Sequence, residues 1–322
     1  MEPTRSRGIM SITRRQFITV TAAGAASLST VRAAKGPLKV ITSTEDMAAL
    51  AREVGGDRIS VESLARGYQD SHFVEPKPSF IAKVHGADLL ISVGLQLEIG
   101  WLPPLITQSR NPNVQPGAPG YLEASQFADV LEKPAGGVSR SMGDVHPLGN
   151  PHFWLDPKNG RAVAEGIANK LSSLRPEDAA YFAQRNKDFA ARLAQAEKGW
   201  DQKMAPYRGR KVITFHQSWP NFAKRFGIEV AGYVEPKPGI PPTPSHTLEL
   251  IGQMKAQNIK VIWVEPYFDT KTPTSIANSV GGEAIVLLPS VGGVPKVTDY
   301  FKLFDYDIDL VAGAFERTGK HS

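Results

Sequence analysis

Between Pro176 and Met204 the chain reads "PEDAAYFAQRNKDFAARLAQAEKGWDQKM", with one glycine and no proline after its first residue. Proline at a first turn, followed by Glu177 and Asp178, is a strong helix start. At about 1.5 Å per residue such a helix is roughly 40 Å long, the span of a whole domain. It therefore behaves as a strut, and the rest of the chain divides around it.

The two flanks share one grammar. Before the strut, Leu38 to Thr42 is β-rich. Ser43 or Thr44 can cap a helix through "EDMAALAREVG", and Gly55-Gly56 stops it. "RISVESL" reads as a strand, Ser79 to Val84 as a helix, and "ADLLISVG" as a buried strand. "NPHFWLDPKNG" leads into a helix from about Arg161 to Leu174. After the strut, "RKVITFH", "IEVAGYV", "IKVIWVEP" and "AIVLLPS" read as strands. Helices "SWPNFAKRFG" and "HTLELIGQMKAQN" lie between them. Repeated β-α-β units predict parallel sheets. The phrase Val74-Glu75-Pro76-Lys77-Pro78 recurs as Val234-Glu235-Pro236-Lys237-Pro238, which suggests two similar lobes. The expected organisation is α/β, with an N-terminal lobe over 34–175, a linking helix over 176–205 and a C-terminal lobe over 206–322.

The first 33 residues stand apart. Arg14-Arg15 precede an apolar Ala-rich run from Phe17 to about Val31, and Val31-Arg32-Ala33 has the form of a cleavage site. This is the layout of a twin-arginine export signal cleaved near Ala33. The run is too short and too rich in Ala, Thr and Ser to span a bilayer well. Five of the 37 basic residues and one of the 32 acidic residues lie in it, leaving 32 and 31. A mature chain with a net charge of +1 has no basic excess, so a nucleic-acid partner is not expected. There is no cysteine, hence no disulfide, no thiolate metal site and no lipid-anchored N-terminal Cys. Any metal must be held by His, Asp, Glu or water. A soluble, monomeric periplasmic protein is the expectation.

Three of the seven histidines sit where strands give way to loops: His72, His152 and His216. Open parallel sheets bind ligands just beyond the carboxyl ends of their strands. Three neutral imidazoles suit Zn²⁺, with a carboxylate or water as fourth ligand. The ligands lie about 60 to 80 residues apart, so no short metal motif is present. Singly, each is more readily a surface or packing histidine.

The phrases around them carry more. "DSHFVEPKPS", "NPHFWLDP", "ITFHQSWPNFAKRFGI" and "KVIWVEPYFDTKTPTSIANSVGGEAIVL" occur in that order, with "ADLLISVGLQLEIGWL" and "TDYFKLFDYDIDLV" between and after. Together they resemble the substrate-binding proteins of zinc and manganese ABC importers, the ZnuA/TroA-like family, over essentially the whole mature chain. The resemblance implies two α/β lobes joined by one long rigid helix, with the metal in the interlobe cleft. It implies a membrane permease as partner. It places ligands at His72, with Ser71 where the family pattern has Pro, at His152 and at His216. Histidine rather than glutamate at the third position points to Zn²⁺ over Mn²⁺ or Fe²⁺ as the cargo.

The fourth ligand departs from the pattern. The family's acid falls at Thr298, and Asp299 stands one residue on. Asp299 is the expected ligand, with water as the alternative. The Gly/Ser/Pro-rich stretch over 131–149 carries one His, His146, and one Asp, Asp144, and reads as a solvated loop, with metal gathering as the second reading. His85 reads as structural and His246 as turn or cap chemistry. Glu75, Glu235 and Glu265 each precede proline and could orient histidines; for Glu265 loop support is preferred. A secreted zinc hydrolase would use the same three histidines and a water, but no motif places a general base beside them.

Overall fold

The computed structural model describes Met1 and residues 36–136, 143 and 145–319. Apart from Met1, the expected export signal lies outside these residues, as do Asp144 and His321. Residues Pro37–Ser322 form one compact unit.

The first sheet holds β1 (Leu38–Thr42), β2 (Ile59–Ser63), β3 (Leu89–Ser92) and β4 (Tyr121–Glu123). Its order is β2-β1-β3-β4, all parallel. Its helices are α1 (Glu45–Gly55), α2 (Pro78–His85), α3 (Leu102–Ser109) and α4 (Pro157–Leu174). The cap and stop expected for α1 operate. Thr44 Oγ1 accepts the Met47 N–H, and Gly56 ends α1 at φ +53°, a conformation that costs glycine little. Asp156 caps α4 by accepting the Lys158 N–H at 2.9 Å. Helix α3 was not foreseen. Its prolines, Pro103 and Pro104, occupy the first turn, where the missing N–H groups have no helical partner to lose.

The linking helix α5 (Ala179–Met204) follows a 3₁₀ turn over Pro176–Asp178. Phe182, Phe189, Leu193, Trp200 and Met204 are its buried residues. Their spacing of seven, four, seven and four places them on one face. That face packs on α1 and α4, and also on the last helix, Tyr300–Gly319. Arg185 Nε donates to the Glu53 carbonyl at 2.8 Å, and Trp200 Nε1 donates to Asp305 Oδ1 at 2.7 Å. The strut is therefore tied near one end to α1 and near the other to the last helix.

The second sheet repeats the first. β5 (Lys211–Thr214), β6 (Glu229–Tyr233), β7 (Val261–Val264) and β8 (Glu283–Val286) run parallel in the order β6-β5-β7-β8. Helices α6 (Pro220–Phe226), α7 (Pro244–Ala256), α8 (Lys271–Asn278) and α9 (Tyr300–Gly319) complete this half. Its core is rich in aromatics, with Trp219, Phe222, Trp263 and Phe304 fully buried.

Hydrogen bonds and one close backbone approach join the loops of the two halves. Buried Asp46, at the start of α1, accepts from Ser290 Oγ at 2.6 Å and from the Val291 N–H at 3.0 Å. Trp154 Nε1 donates to the Pro289 carbonyl at 2.8 Å, and the Tyr300 hydroxyl donates to the Trp154 carbonyl. At Gly67 a Cβ would lie 1.9 Å from the Val291 carbonyl oxygen, so only glycine permits this approach. The carboxyl ends of both sheets are held facing each other across these loops.

Candidate metal centre

His72 lies in the loop after β2, and two neighbours fix its ring. Asp70 Oδ1 accepts both the His72 backbone N–H at 2.9 Å and its ring Nδ1 at 2.8 Å. Trp101 Nε1 braces the loop by donating to the Ser71 carbonyl at 2.9 Å. His152 repeats the device. Asn150 Oδ1 accepts the His152 backbone N–H at 2.9 Å and ring Nδ1 at 3.0 Å. An acceptor two residues before a histidine thus sets both backbone turn and ring orientation, which is why Asp-x-His and Asn-x-His carry the two sites. Asn150 is held in turn, its amide donating to Glu132 Oε2 at 2.9 Å and to the Gln217 carbonyl at 2.7 Å.

His216 follows β5 and takes its acceptor from further away. Glu235 Oε2, after β6, receives its Nδ1 at 2.7 Å, with both side chains buried. Glu235 is the second copy of the repeated Val-Glu-Pro-Lys-Pro phrase. The first copy, Glu75, is exposed, and no hydrogen bond or ion pair engages it among the described residues. Asp70 has its role in the first half.

A carboxylate or carbonyl oxygen only accepts. Each of these rings therefore carries its proton on Nδ1 and turns the lone pair of Nε2 inward. One nitrogen from each of His72, His152 and His216 lies within 4.8 Å of the other two. The His152 Nε2 is buried and has no hydrogen-bond partner. A buried lone pair without a donor is costly unless something electropositive meets it. Burial, then the crowding of His72, His216 and His146, pushes the His152 pKa well below its ordinary value. The ring is therefore neutral at neutral pH, with a lone pair to offer at Nε2. For His216, burial acts downward but is outweighed by the Glu235 hydrogen bond and by the charges of Glu265, Glu235 and Asp70, so its pKa is raised.

Sequence reasoning set His146 aside as a loop residue, but the structure brings it to the group. Its Nδ1 donates to the Leu95 carbonyl at 3.1 Å, and its Nε2 lies 3.2 Å from the His72 Nε2. Two nitrogens at this separation, both with lone pairs, repel unless a cation or proton lies between them. Tetrahedral zinc, with Zn–N of about 2.0–2.1 Å, sets neighbouring nitrogens about 3.3 Å apart. Burial lowers the His146 pKa to about 4. The sequence signal was a single histidine two residues before Leu148 in an otherwise unpatterned loop, too little to place it.

Asp299 corrects the expected ligand set, because it does not join the group. It precedes α9, where Oδ1 accepts the Lys302 N–H at 3.0 Å and Oδ2 pairs with Lys302 Nζ at 3.2 Å. It is a half-exposed helix cap, occupied by its own turn. Glu265 is fully buried and accepts from Trp219 Nε1 at 2.9 Å. From the loop after β7 it thereby holds the loop after β5, and its charge also reaches His216. His85 bonds the Ser109 carbonyl at 2.7 Å and His246 the Tyr233 carbonyl at 3.0 Å; both are structural.

Two parallel-sheet lobes, a connecting helix and a converging set of imidazoles define a solute-binding protein whose solute is a metal ion, of the kind that serves ABC importers. The family described as zinc-uptake complex component A, periplasmic, matches residues 40–314, and the chain belongs to that family. The chain is 24% identical over 283 residues to the manganese ABC transporter substrate-binding lipoprotein PsaA of Streptococcus anginosus, covering 85% of this chain and 88% of that one. It is 24% identical over 276 residues to the high-affinity zinc uptake system protein ZnuA of Bacillus subtilis, covering 84% of each. A crystal structure of ZnuA superposes with a TM-score of 0.73 at 25% identity, covering 86% of this chain and 99% of that one.

Proposed function

We propose that this chain captures Zn²⁺ in the periplasm through His72, His152 and His216, with His146 as the fourth ligand, and delivers it to the permease of an ABC importer. The observation that carries the reading is the donor set. Four imidazoles present Nε2, each with Nδ1 held by an oxygen acceptor. Nitrogen-only coordination suits Zn²⁺, whereas Mn²⁺ favours oxygen. The oxygen acceptors behind the rings raise ligand basicity and fix orientation. The protein acts as a monomeric carrier and not as a catalyst, because capture and release require only that ligands join and leave.

The interlobe contacts at Asp46, Trp154 and Gly67 favour release by movement of a ligand-bearing loop over wide hinge opening. His146 is suited to that movement. It is anchored by one backbone carbonyl, whereas the other three rings each have Nδ1 held by a side-chain acceptor. The test is competition calorimetry of Zn²⁺ and Mn²⁺ on the mature chain, with elemental analysis of the purified protein. His72→Ala, His152→Ala and His216→Ala should each weaken zinc by at least two orders of magnitude. Unchanged affinity in all three, or preference for Mn²⁺, would overturn the assignment.

A further inference from the structure

His72, His152 and His216 are not backed alike. His72 and His216 each give the Nδ1 proton to a carboxylate, Asp70 and Glu235. His152 gives its proton to an amide, Asn150 Oδ1, at 3.0 Å. An ionised carboxylate presents only acceptors, so it dictates the tautomer of its histidine unaided. An asparagine presents an acceptor at one end and two donors at the other. Turned end for end, Asn150 would aim an N–H group at His152 Nδ1. The ring proton would then sit on Nε2, the buried atom whose lone pair has to meet the ion, and the ligand would be lost. Groups outside the pair must therefore hold the amide one way round.

Two acceptors do so. Asn150 Nδ2 donates to the Gln217 carbonyl at 2.7 Å and to Glu132 Oε2 at 2.9 Å. Both oxygens would repel the amide oxygen, so the nitrogen is fixed on their side and Oδ1 on the side of His152. Of the two, Glu132 alone brings a charge, and among the described residues no ion pair neutralises it. A hydrogen bond to an ionised partner is roughly twice as strong as one between neutral groups. It also polarises the amide, which makes Oδ1 a better acceptor for the His152 proton and Nε2 a more basic ligand.

The backbone brings Glu132 to this place against its own preference. Glu132 holds a φ of +51°, a conformation that is uncommon outside glycine and that persists where surrounding structure enforces it. Beside it the Leu131 carbonyl accepts the Asn150 N–H at 2.8 Å and closes the intervening stretch at its base. Gly149 completes the closure at φ +110°, where a Cβ would lie 2.8 Å from the Leu131 carbonyl oxygen. Glu132 and Asn150, 18 residues apart, are thus set side by side. Both line the cavity onto which His146, His152 and His216 also open.

We propose that Glu132 is a positioning residue of the metal centre: acting through Asn150, it locks the tautomer in which His152 offers Nε2 to the ion. This rests on the zinc reading above. The test measures zinc affinity by chelator competition for Glu132→Ala and Glu132→Gln, alone and in an Asn150→Asp background. Alone, Glu132→Ala should weaken zinc about tenfold, the lower end of the range for groups that orient a ligating histidine. Glu132→Gln keeps an oxygen acceptor and should lose less. With Asn150→Asp the acceptor can no longer be turned round and lies against a second carboxylate, so Glu132→Ala in that background should no longer weaken zinc. A loss of equal size in both backgrounds would place Glu132 on the ion itself and overturn the relay. A second measurement needs no double variant. In ¹⁵N NMR of the metal-free chain, the His152 signal, assigned by its absence from His152→Ala, should report a ring protonated on Nδ1. Glu132→Ala should populate the form protonated on Nε2, and an unchanged tautomer would overturn the proposal. Should His152→Ala hold zinc as the wild type does, the zinc reading fails and this one with it. Should His152→Ala lose zinc while Glu132→Ala does not, only the role of Glu132 falls.

Discussion

The repeated Val-Glu-Pro-Lys-Pro phrase supplies its own control for the role of Glu235. In one copy Glu235 Oε2 lies 2.7 Å from His216 Nδ1, both groups buried, and the same oxygen accepts the Gly239 N–H at 3.1 Å. In the other copy Glu75 is exposed. Removing an oxygen that orients a ligating imidazole typically costs 10–100-fold in metal affinity, or about 1.4–2.8 kcal/mol. Glu235→Ala should therefore weaken zinc by that factor, while Glu75→Ala stays within about twofold. Glu235→Gln keeps an acceptor without the charge and should fall between them. The sign with pH follows from the raised His216 pKa. Above that pKa the ring is neutral and Glu235 only helps; below it, a proton held by Glu235 competes with the metal. The loss in Glu235→Ala should thus be larger at pH 8 than at pH 6. In the metal-free chain the order reverses. A raised histidine pKa adds stability that is full below the unfolded value of about 6.5 and fades as pH rises through the folded value. Metal-free Glu235→Ala should then lose more melting temperature at pH 5.5 than at pH 8. The assay is competition with a chelator of known affinity, with thermal unfolding beside it. Equal affinities for Glu235→Ala and Glu75→Ala would refute the argument.

Three further outcomes are expected. Asp299→Ala should leave zinc affinity unchanged and cost about 0.5–2 kcal/mol of stability as a lost helix cap, read by denaturant unfolding; a tenfold loss of affinity would return Asp299 to the ligand set. Burial raises the Asp46 pKa to about 7 against the opposing bonds from Ser290 and Val291. Its contribution is therefore present below about pH 4 and lost as pH rises towards 7, so melting temperature should fall more steeply from pH 5 to pH 8 in the wild type than in Asp46→Asn. Gly67→Ala would set a methyl against the Val291 backbone and should destabilise by about 1–3 kcal/mol, seen as a lowered melting temperature with zinc binding weakened through the displaced loop.

What could be read in the sequence follows from how local each signal is. The helix cap at Thr44, the stop at Gly56 and the β-α-β order act within a few residues, so the two sheets and the strut were visible before any contact was known. Helix α3 was missed because Pro103 and Pro104 look like breakers until their first-turn position is known. The acceptors of His72 and His152 are local as well, two residues upstream on the chain. Those of His216 and His146 are not. Glu235 reaches His216 across 19 residues and two elements, and Leu95 reaches His146 across 51.

The fourth ligand shows where sequence spacing loses its force. Asp299 was chosen because it stands one residue from a patterned position, and an acid suits a metal. Yet a carboxylate at a helix start finds backbone N–H groups at no cost in chain entropy, and Asp299 takes the Lys302 N–H in this way. Among the described residues the His146 Nδ1 has its acceptor in the strained turn at Leu95, and that bond turns its other nitrogen to face His72. A residue whose partner lies in another segment can complete a site built by others. The same fact leaves His146 with the weakest attachment of the four rings. As the proposed fourth ligand, it is the one whose withdrawal would most cheaply convert a four-nitrogen site for capture into a three-nitrogen site for release. Its removal should shorten metal residence more than it slows metal entry.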